Sequence, residues 1–231
     1  MLDADASVPS FAVGAGYAAY RGPAIDVAAH RHAAFQVAIA VHGAVAIVDA
    51  AGICHRGAAL VVAPMARHRM LEGTDLLTFF VDPHCAFADR LRERHGDGVT
   101  AAPELRDLTT TDLGPAAGPS RALDPRIVAA MDAVSAPGAT MPGVAARVGL
   151  SPQRLRALAR KQVGMPLLRW RAWVRLRVAA EALRDGRSIA DAAITGGFAD
   201  QAHLTRWMRE MMGLTPTVAL PALRGQPRRA T

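Results

Sequence analysis

The most constraining feature of this sequence is a helix-turn-helix pattern that occurs twice near its end. The frame residues of the first copy recur 48 or 49 positions further along the chain: Ala145 as Ala193, Gly149 as Gly197, Leu155 as Leu204 and Gly164 as Gly213. A small residue in the first helix lets the second helix cross closely, and glycine lets the chain reverse at positive φ. One copy is common in all-helical proteins, whereas a tandem pair indicates DNA binding.

Capping signals predict the helices around these turns. Side chains that can cap a helix N-terminus precede five apolar-periodic segments: Asp124, Thr140, Ser151, Ser188 and Asp200. Between the two copies, residues 166–183 are predicted to form one long helix with Trp170 and Trp173 in its core stripe. Such a helix is about 27 Å long. With its flanking turns it can hold two recognition helices about 34 Å apart, which is one turn of DNA.

The charge of the chain is distributed unevenly. Residues 140–231 hold 16 Arg/Lys against 5 Asp/Glu, a net charge of +11, whereas residues 1–139 have a net charge of −4. The C-terminal part is therefore expected to bind a polyanion. Only one basic residue, Lys161, is a lysine, so the excess of arginine also reflects a bias in composition. The arginines of the long helix lie on more than one face, and not all of them can contact phosphate.

The N-terminal half has a different pattern. Short β-type runs separated by turn signals predict antiparallel strands at 35–41, 45–48, 60–62 and 76–81. Residues of about 10–82 are expected to form a small barrel or jelly roll. Helical spacing predicts a helix at 85–95, to which we assign dimerisation, and the turn-rich stretch 96–119 predicts a linker. Two cysteines, Cys54 and Cys85, do not make a disulfide framework and suit a reducing compartment.

Residues of about 124–220 resemble the AraC/XylS family of bacterial transcription regulators. The resemblance is clearest in the second copy, where eight residues stand at the expected places: Ile189, Ala193, Gly197, Phe198, Leu204, Arg206, Gly213 and Pro216. There are departures from the family pattern. Ala159 and Met208 replace an aromatic residue that is usual in each recognition helix, and Ala219-Leu220 stand where Tyr-Arg is customary. The resemblance implies a reader with two recognition helices and a separate sensor domain.

The resemblance also implies which residues face the bases. In the first recognition helix they are Gln153, Arg156 and Ala157, and in the second Gln201, Ala202, His203, Thr205 and Arg206. The chemistry agrees for several of them, since arginine can pair with guanine and glutamine with adenine, each pair giving about 1–3 kcal/mol of discrimination. The alternative interpretation is that these residues form a solvated helix face.

Histidines are concentrated in the N-terminal half, which holds seven of the eight in its first 95 residues. His30, His32, Gln36 and His68 resemble the two-part cupin signature, in which histidines and a carboxylate bind a divalent metal inside a β-barrel. Two departures, Gln36 at the carboxylate position and Ala66 in place of a glycine, favour a pocket for a small effector over a metal site. No cofactor is expected to be needed for DNA binding.

The sequence therefore predicts a two-domain α+β protein. We expect a cupin-like, antiparallel β-barrel or jelly-roll domain for effector sensing and dimerisation at residues 1–112 and a linker at 113–123. An all-α, AraC-type DNA-binding domain with two helix-turn-helix motifs joined by a long helix is expected at 124–222, and a disordered basic tail at 223–231. No run of residues reaches the ~18 apolar positions of a membrane span, and the absence of a signal pattern predicts a cytoplasmic protein.

The predicted function is sequence-specific transcription regulation of the AraC type, controlled by a small molecule or metal in the cupin-like domain. The expected partners are double-stranded promoter or operator DNA, the effector, a second copy of the chain and RNA polymerase, with no membrane. Two alternatives remain open. One is a metal-dependent cupin enzyme with an accessory DNA-binding domain, which the neutral Gln36 argues against. The other is a sequence-neutral architectural DNA-binding protein.

Overall fold

The computed structural model describes residues 9–114, 118–136 and 138–224. Antiparallel strands occupy the N-terminal half, and the C-terminal half is helical. This is the predicted division into a β-domain and an all-α domain. None of the described helices combines the length and the continuous apolar character that a membrane crossing requires.

Nine strands form the β-domain within the described residues. They are β1 (Ser10–Gly14), β2 (Tyr17–Ala24), β3 (Phe35–Ala40), β4 (Val45–Asp49), β5 (Cys54–Gly57), β6 (Ala59–Val62), β7 (His68–Met70), β8 (Gly73–Val81) and β9 (Val99–Ala101). The larger sheet has the order β1-β2-β8-β3-β6-β9 and the smaller one β5-β4-β7, with antiparallel pairing throughout. An apolar cluster that includes Ile47, Leu60 and Met70 joins the two sheets.

The four predicted strands correspond to β3, β4, β6 and β8. Strands β1, β2, β5, β7 and β9 were not predicted. Strands β5, β7 and β9 have only three or four residues, and β1 is an edge strand whose burial pattern does not alternate. Period-two alternation is the signal on which strand prediction relies, and β1, β5, β7 and β9 are too short or too evenly exposed to carry it. Strand β2 is longer, but Gly22 and Pro23 within it are turn signals.

A helix follows β8, as predicted. It is α1 (Ala86–Arg94), and its apolar residues Phe87, Ala88 and Leu91 are buried in the core of its own domain. Arg90 and Glu93 are exposed. The face of α1 that a second copy could reach is therefore charged, and its apolar face is already occupied.

The linker is fixed to the β-domain where the structure describes it. After α1 come a short 3-10 turn (Pro103–Leu105) and α2 (Thr110–Leu113). The Asp89 carboxylate accepts hydrogen bonds from Ser120 Oγ at 2.6 Å and from the backbone N–H groups of Arg121 and Ala122 at 2.8 and 3.2 Å. These bonds lower the pKa of Asp89 against the opposing effect of its burial, which is the largest single influence. Residues 118–123 thus run along α1.

Among the residues that the structure describes, seven helices form the all-α domain: α3 (Pro125–Val134), α4 (Met141–Arg147), α5 (Pro152–Val163), α6 (Leu167–Arg184), α7 (Ile189–Thr195), α8 (Gln201–Met212) and α9 (Pro216–Arg224). All five predicted N-caps accept a backbone hydrogen bond at the start of their helix: Asp124, Thr140, Ser151, Ser188 and Asp200. The turn glycines of both copies have positive φ, 68° at Gly149 and 75° at Gly197, as the doubled pattern requires.

Helix α9 corrects the predicted end of the domain. The predicted disordered tail starts at residue 223, yet Leu223 is buried against Leu183 and Ala192. Arg224 donates hydrogen bonds to the carbonyl oxygens of Leu183 and Arg187. The helix was missed because Pro221 lies inside it and proline is a helix-breaking signal. The remainder of the predicted tail, 225–231, lies outside the described residues.

The central helix α6 packs against the rest of the domain. Trp170 is buried and its Nε1 donates a hydrogen bond to the Met131 carbonyl on α3 at 2.9 Å. Trp173, also buried, turns toward the β-domain and contacts Phe80 with ring centroids 5.6 Å apart. The prediction that both indoles are core residues is confirmed.

The steric fit between α6 and α7 leads to a stability prediction. A Cβ atom on Gly196 would lie 2.8 Å from the Arg175 carbonyl oxygen and 3.0 Å from the Ala179 Cβ. We expect Gly196→Ala to lower the free energy of unfolding by about 1–3 kcal/mol, the usual cost of overpacking. Urea denaturation measures it. Gly96→Ala is the control, because no described residue lies within 4 Å of its would-be Cβ; equal losses in the two variants would contradict the prediction.

Candidate DNA-reading face and interdomain cavity

The first recognition helix, α5, presents its predicted reading residues to solvent. Gln153, Arg156 and Ala157 are all exposed. The opposite face of the helix, which includes Leu155 and Ala159, is buried in the core of the domain. The alanine at position 159, where the family usually has an aromatic residue, is fully buried.

The second recognition helix, α8, presents most of its predicted residues in the same way. Gln201, Ala202 and Arg206 are exposed and Thr205 is half-buried. These four line a shallow depression on the surface together with Arg209, a residue that the sequence analysis did not include. Arg209 could have been identified from its position on α8, one helical turn beyond Arg206.

His203 occupies a different environment from its neighbours on α8. Its ring is half-buried, Nε2 accepts a hydrogen bond from Trp207 Nε1 at 3.0 Å, and Nδ1 lies 3.3 Å from the backbone N–H of Ala199. The ring also packs edge-on against Phe198. A base contact by His203 would require these interactions to be exchanged for new ones.

The arginines of α6 hold the two motifs to the central helix. Arg169 forms an ion pair with Glu210 and lies over the Trp207 ring, 5.4 Å from its centroid, which fastens α8. Arg171 donates a hydrogen bond to the Ala139 carbonyl, just before α4. Arg175 lies beside the turn glycine Gly197, and burial, followed by the nearby Arg171, lowers its pKa. These arginine side chains mainly hold the helices of the all-α domain together.

The predicted sensor residues come together. His30, His32 and His68 are buried, and their ring centroids are 4.3 to 5.7 Å apart. Each Nδ1 atom lies 2.9 to 3.0 Å from a backbone carbonyl oxygen two residues away, on Ala28, Ala34 and Ala66 respectively. Carbonyl oxygens only accept hydrogen bonds, so each Nδ1 carries the proton and each Nε2 has a free lone pair.

This protonation pattern determines the orientation of Gln36. The Gln36 side-chain amide lies 3.0 Å from His32 Nε2 and 2.9 Å from His68 Nε2. Since both of these nitrogens are acceptors when the rings are neutral, the amide NH2 group, and not its oxygen, must face them and donate to both. Burial is the main cause that lowers the pKa of all three histidines, to about 4 for His30 and about 2 for His68. All three rings are therefore neutral at pH 7.

Three imidazoles of this kind could hold a metal. The candidate ligand atoms of His30, His32 and His68 lie within 4.8 Å of one another. Zinc–nitrogen bonds are about 2.0–2.1 Å long, so the three ligand atoms would have to move slightly closer together to bind one zinc ion. The Nδ1–H···O=C bonds are the outer interactions that usually orient metal-binding histidines. The donor set fits a divalent cation, with Gln36 rotating to offer its oxygen.

Next to the histidines, a cavity of about 170 Å³ lies between the two domains. The β-domain contributes mainly apolar walls from β2 and β8, and α6, α8 and α9 close it from the other side. His30 and Gln36 line the cavity, whereas His32 and His68 are not among its lining residues. We expected an effector pocket inside the barrel; the cavity instead needs both domains, which the sequence had no means of showing.

The two domains are joined by polar contacts around this cavity. Arg177 on α6 donates to the Asp82 carboxylate at 2.5 Å and to the Gly14 carbonyl at 3.4 Å. The second Asp82 oxygen is buried and has no hydrogen-bond partner among the described residues. On the other side, the Ala28 N–H donates to the carbonyl of Gly213, which ends α8. The second recognition helix is thus attached directly to the β-domain.

Comparison with known proteins agrees with this architecture. A family described as a helix-turn-helix domain matches residues 144–220, a range that begins in α4 and ends in α9. This domain is of the AraC type. A search of curated proteins finds no match.

Solved structures share the fold of the whole chain. ToxT from Vibrio cholerae O395 aligns with a TM-score of 0.60 at 9% identity, over 91% of this chain and 99% of that one. The same protein bound to (E)-4-(8-methylnaphthalen-1-yl)but-3-enoic acid gives 0.61 at 10% identity, over 93% and 99%. Unsaturated fatty acid bound ToxT from Vibrio cholerae strain SCE256 gives 0.58 at 12% identity, over 97% and 99%. The two-domain fold is therefore that of ToxT.

The ion pair between the domains can be tested by a double-mutant cycle. Arg177→Met would leave the buried Asp82 carboxylate without its partner, a change that typically costs about 3–5 kcal/mol. We expect the double variant Arg177→Met/Asp82→Leu to recover much of this loss, because no unpaired charge remains. Chemical denaturation of the four proteins gives the coupling energy. Additive losses would show that the two side chains do not depend on each other.

Proposed function

We propose that this chain, whose residues 144–220 are an AraC-type helix-turn-helix domain, is a sequence-specific transcription regulator that a small effector controls. The observation that carries the proposal is the pair of recognition helices on one central helix, α5 and α8, each with exposed hydrogen-bonding side chains. A face that presents Gln153 and Arg156 on one helix and Gln201 and Arg206 on the other suits two successive major grooves.

Control by an effector is supported by the position of the cavity. Its walls come from both domains, including Met208 and Met212 of the second recognition helix. An occupant that fits one arrangement of the domains better than another shifts the population toward it, by as much as its affinity for the two differs. ToxT structures contain an unsaturated fatty acid and a naphthalenyl butenoic acid. We propose that an apolar effector binds this chain in its interdomain cavity.

Regulation, and not catalysis or sequence-neutral DNA packaging, is the proposed activity. The helix-turn-helix domain at residues 144–220 and the ToxT-like fold support this choice. We further propose that the protein works in the cytoplasm as a homodimer on promoter DNA, in contact with RNA polymerase. Because the exposed face of α1 carries charged side chains, the proposed dimer contact there is electrostatic in character.

A second candidate for the sensed species is a divalent metal at His30, His32 and His68. The observation that favours it is the closeness of the three rings, together with the Nδ1–H···O=C hydrogen bonds, which leave a lone pair on each Nε2. A bound metal would supply a fixed positive charge beside Gly213, whose would-be Cβ lies 2.9 Å from His30 Nδ1. The hydrogen bonds from Gln36 satisfy two of these nitrogens without a metal, and for that reason the apolar effector is the first candidate.

Sequence-specific reading predicts distinct effects for two arginines. We expect Arg156→Ala and Arg206→Ala each to relax base preference in one half of the bound site, because a lost guanine contact removes about 1–3 kcal/mol of discrimination. Selection from a random duplex pool at fixed salt measures this. Arg154→Ala is the matched control, an exposed arginine on α5 outside the predicted reading set. A uniform loss of affinity would assign Arg156 and Arg206 to phosphate contacts, and equal affinity for selected and random duplexes would contradict the regulator itself.

Metal binding is tested separately. If the histidine cluster binds zinc, titration of the chelator-treated protein should show one Zn²⁺ per chain, and His68→Gln should weaken binding at least about tenfold by removing a ligand. His42→Gln, which replaces an exposed histidine elsewhere, serves as the control. Equal zinc affinity in the two variants would place the metal elsewhere, and no binding would leave the apolar effector as the sensed species.

A further inference from the structure

Two buried hydrogen-bond donors in the wall of the interdomain cavity lack a partner among the described residues. Thr78 and Trp173 both line the cavity and are 2% and 3% exposed. Thr78 Oγ1 and Trp173 Nε1 have no hydrogen-bond partner within the part of the chain that the structure describes. The rest of the wall is mainly apolar and includes Leu76, Phe80 and Leu176. Both atoms are enclosed by their neighbours, so a ligand that carries the missing acceptor would reach them through a small shift of these side chains.

The strand register brings the cavity residues of the sheet together. Leu76, Thr78 and Phe80 alternate along β8 and therefore share one face of the sheet. Thr78 is paired with Ala38 and Phe80 with Gln36 on β3, which makes Thr78 and Gln36 diagonal neighbours. Trp173 packs against Phe80 from the opposite domain. One donor thus comes from each domain, around the same phenylalanine ring.

The chemistry of these groups defines what the ligand must offer. An indole N–H only donates a hydrogen bond, and a threonine hydroxyl can donate one. A buried donor without a partner costs about 1–3 kcal/mol, and a ligand that pairs with it regains part of that cost. The ligand therefore needs an acceptor atom, for which a carbonyl oxygen with two lone pairs is suited.

The volume of the cavity and the charge beside it further restrict the class of ligand. A dry apolar cavity of about 150 Å³ accommodates one benzene ring, and this cavity has a similar volume of about 170 Å³. The positive charge nearest to it, Arg177, is already paired with Asp82. A carboxylate ligand would have to displace that buried partner, whereas an uncharged oxygen would not.

We propose that the effector is an uncharged, ring-sized apolar compound with one carbonyl oxygen. The oxygen accepts a hydrogen bond from Trp173 Nε1, and Thr78 Oγ1 offers the second donor. This inference rests on the proposed function in that it assigns the chemical class of the effector for the cavity named there. Because the two donors belong to different domains, such a ligand bridges the sensor and the reader.

The test compares two probes of similar size in the full-length chain. Acetophenone has the oxygen, and ethylbenzene has the same ring and a side chain of the same length without it. We expect Thr78→Val and Trp173→Phe to raise the Kd of acetophenone about tenfold and to change the Kd of ethylbenzene by less than about twofold. Calorimetry or ligand-observed NMR measures both constants. Thr195→Val, at an exposed site on α7, is the matched control and should leave both constants unchanged.

Several outcomes would overturn the proposal. They are the absence of acetophenone binding to the wild-type chain, an acetophenone Kd that neither variant changes, and equal changes for both probes, which would reflect lost packing alone. Tighter binding of benzoate than of acetophenone would overturn the assignment of an uncharged ligand. Thr78→Val removes an unpaired buried hydroxyl and should fold at least as stably as the wild type, so it decides the question if Trp173→Phe fails to fold.

The result of the probe experiment can be distinguished from the result of the test of the proposed function. Probe binding is measured without DNA, and selection from a random duplex pool is measured without a probe. Failure of the probe experiment leaves sequence-specific reading intact, whereas failure of the selection leaves a ligand site in a protein that does not regulate.

Discussion

The burial of helix α6 is the interaction on which the rest of the structure depends. Trp170 on this helix packs and hydrogen-bonds toward α3 in the all-α domain, while Trp173, three residues later, contacts Phe80 of the β-domain. Fully burying one large apolar side chain contributes about 1.5–3 kcal/mol, and the two indoles lie at the centre of one continuous cluster that includes residues of both domains. The helix-turn-helix motifs, the cavity and the domain contact are all arranged around this helix.

Much of the fold could be predicted from local sequence, since the relevant signals act within a few residues. A capping side chain such as Ser151 and a turn glycine such as Gly149 make their hydrogen bonds, or adopt their backbone angle, with their own neighbours. Because the motif occurs twice, the signals of both copies support the same prediction. Helix α9 was not predicted because Pro221 is a local signal against a helix. The burial of Leu223, which outweighs this signal, depends on residues from distant parts of the chain.

In the candidate site, too, some features could be predicted from the sequence and others could not. The clustering of His30, His32 and His68 was predicted from spacing and resemblance, and the structure brings them together. The cavity beside them was not predicted, because its walls come from segments far apart in the chain, such as those of Phe80 and Trp173, and apolar residues such as Met212 have no signal that separates a cavity wall from a core. The orphan donors of Thr78 and Trp173 are likewise visible only when all possible partners are known.

The rigidity of α6 has a consequence for the nucleic acid. Eighteen helical residues, tied to α4 through Arg171 and to α8 through Arg169, hold the recognition helices at a fixed separation. A protein that cannot lengthen or twist this spacer leaves the adjustment to the duplex. If α5 and α8 enter two successive grooves, as proposed, the base pairs between these grooves contribute through their flexibility, since a step that bends easily brings the second groove into place at less energetic cost than a stiff one. The intervening sequence would then be selected by its flexibility.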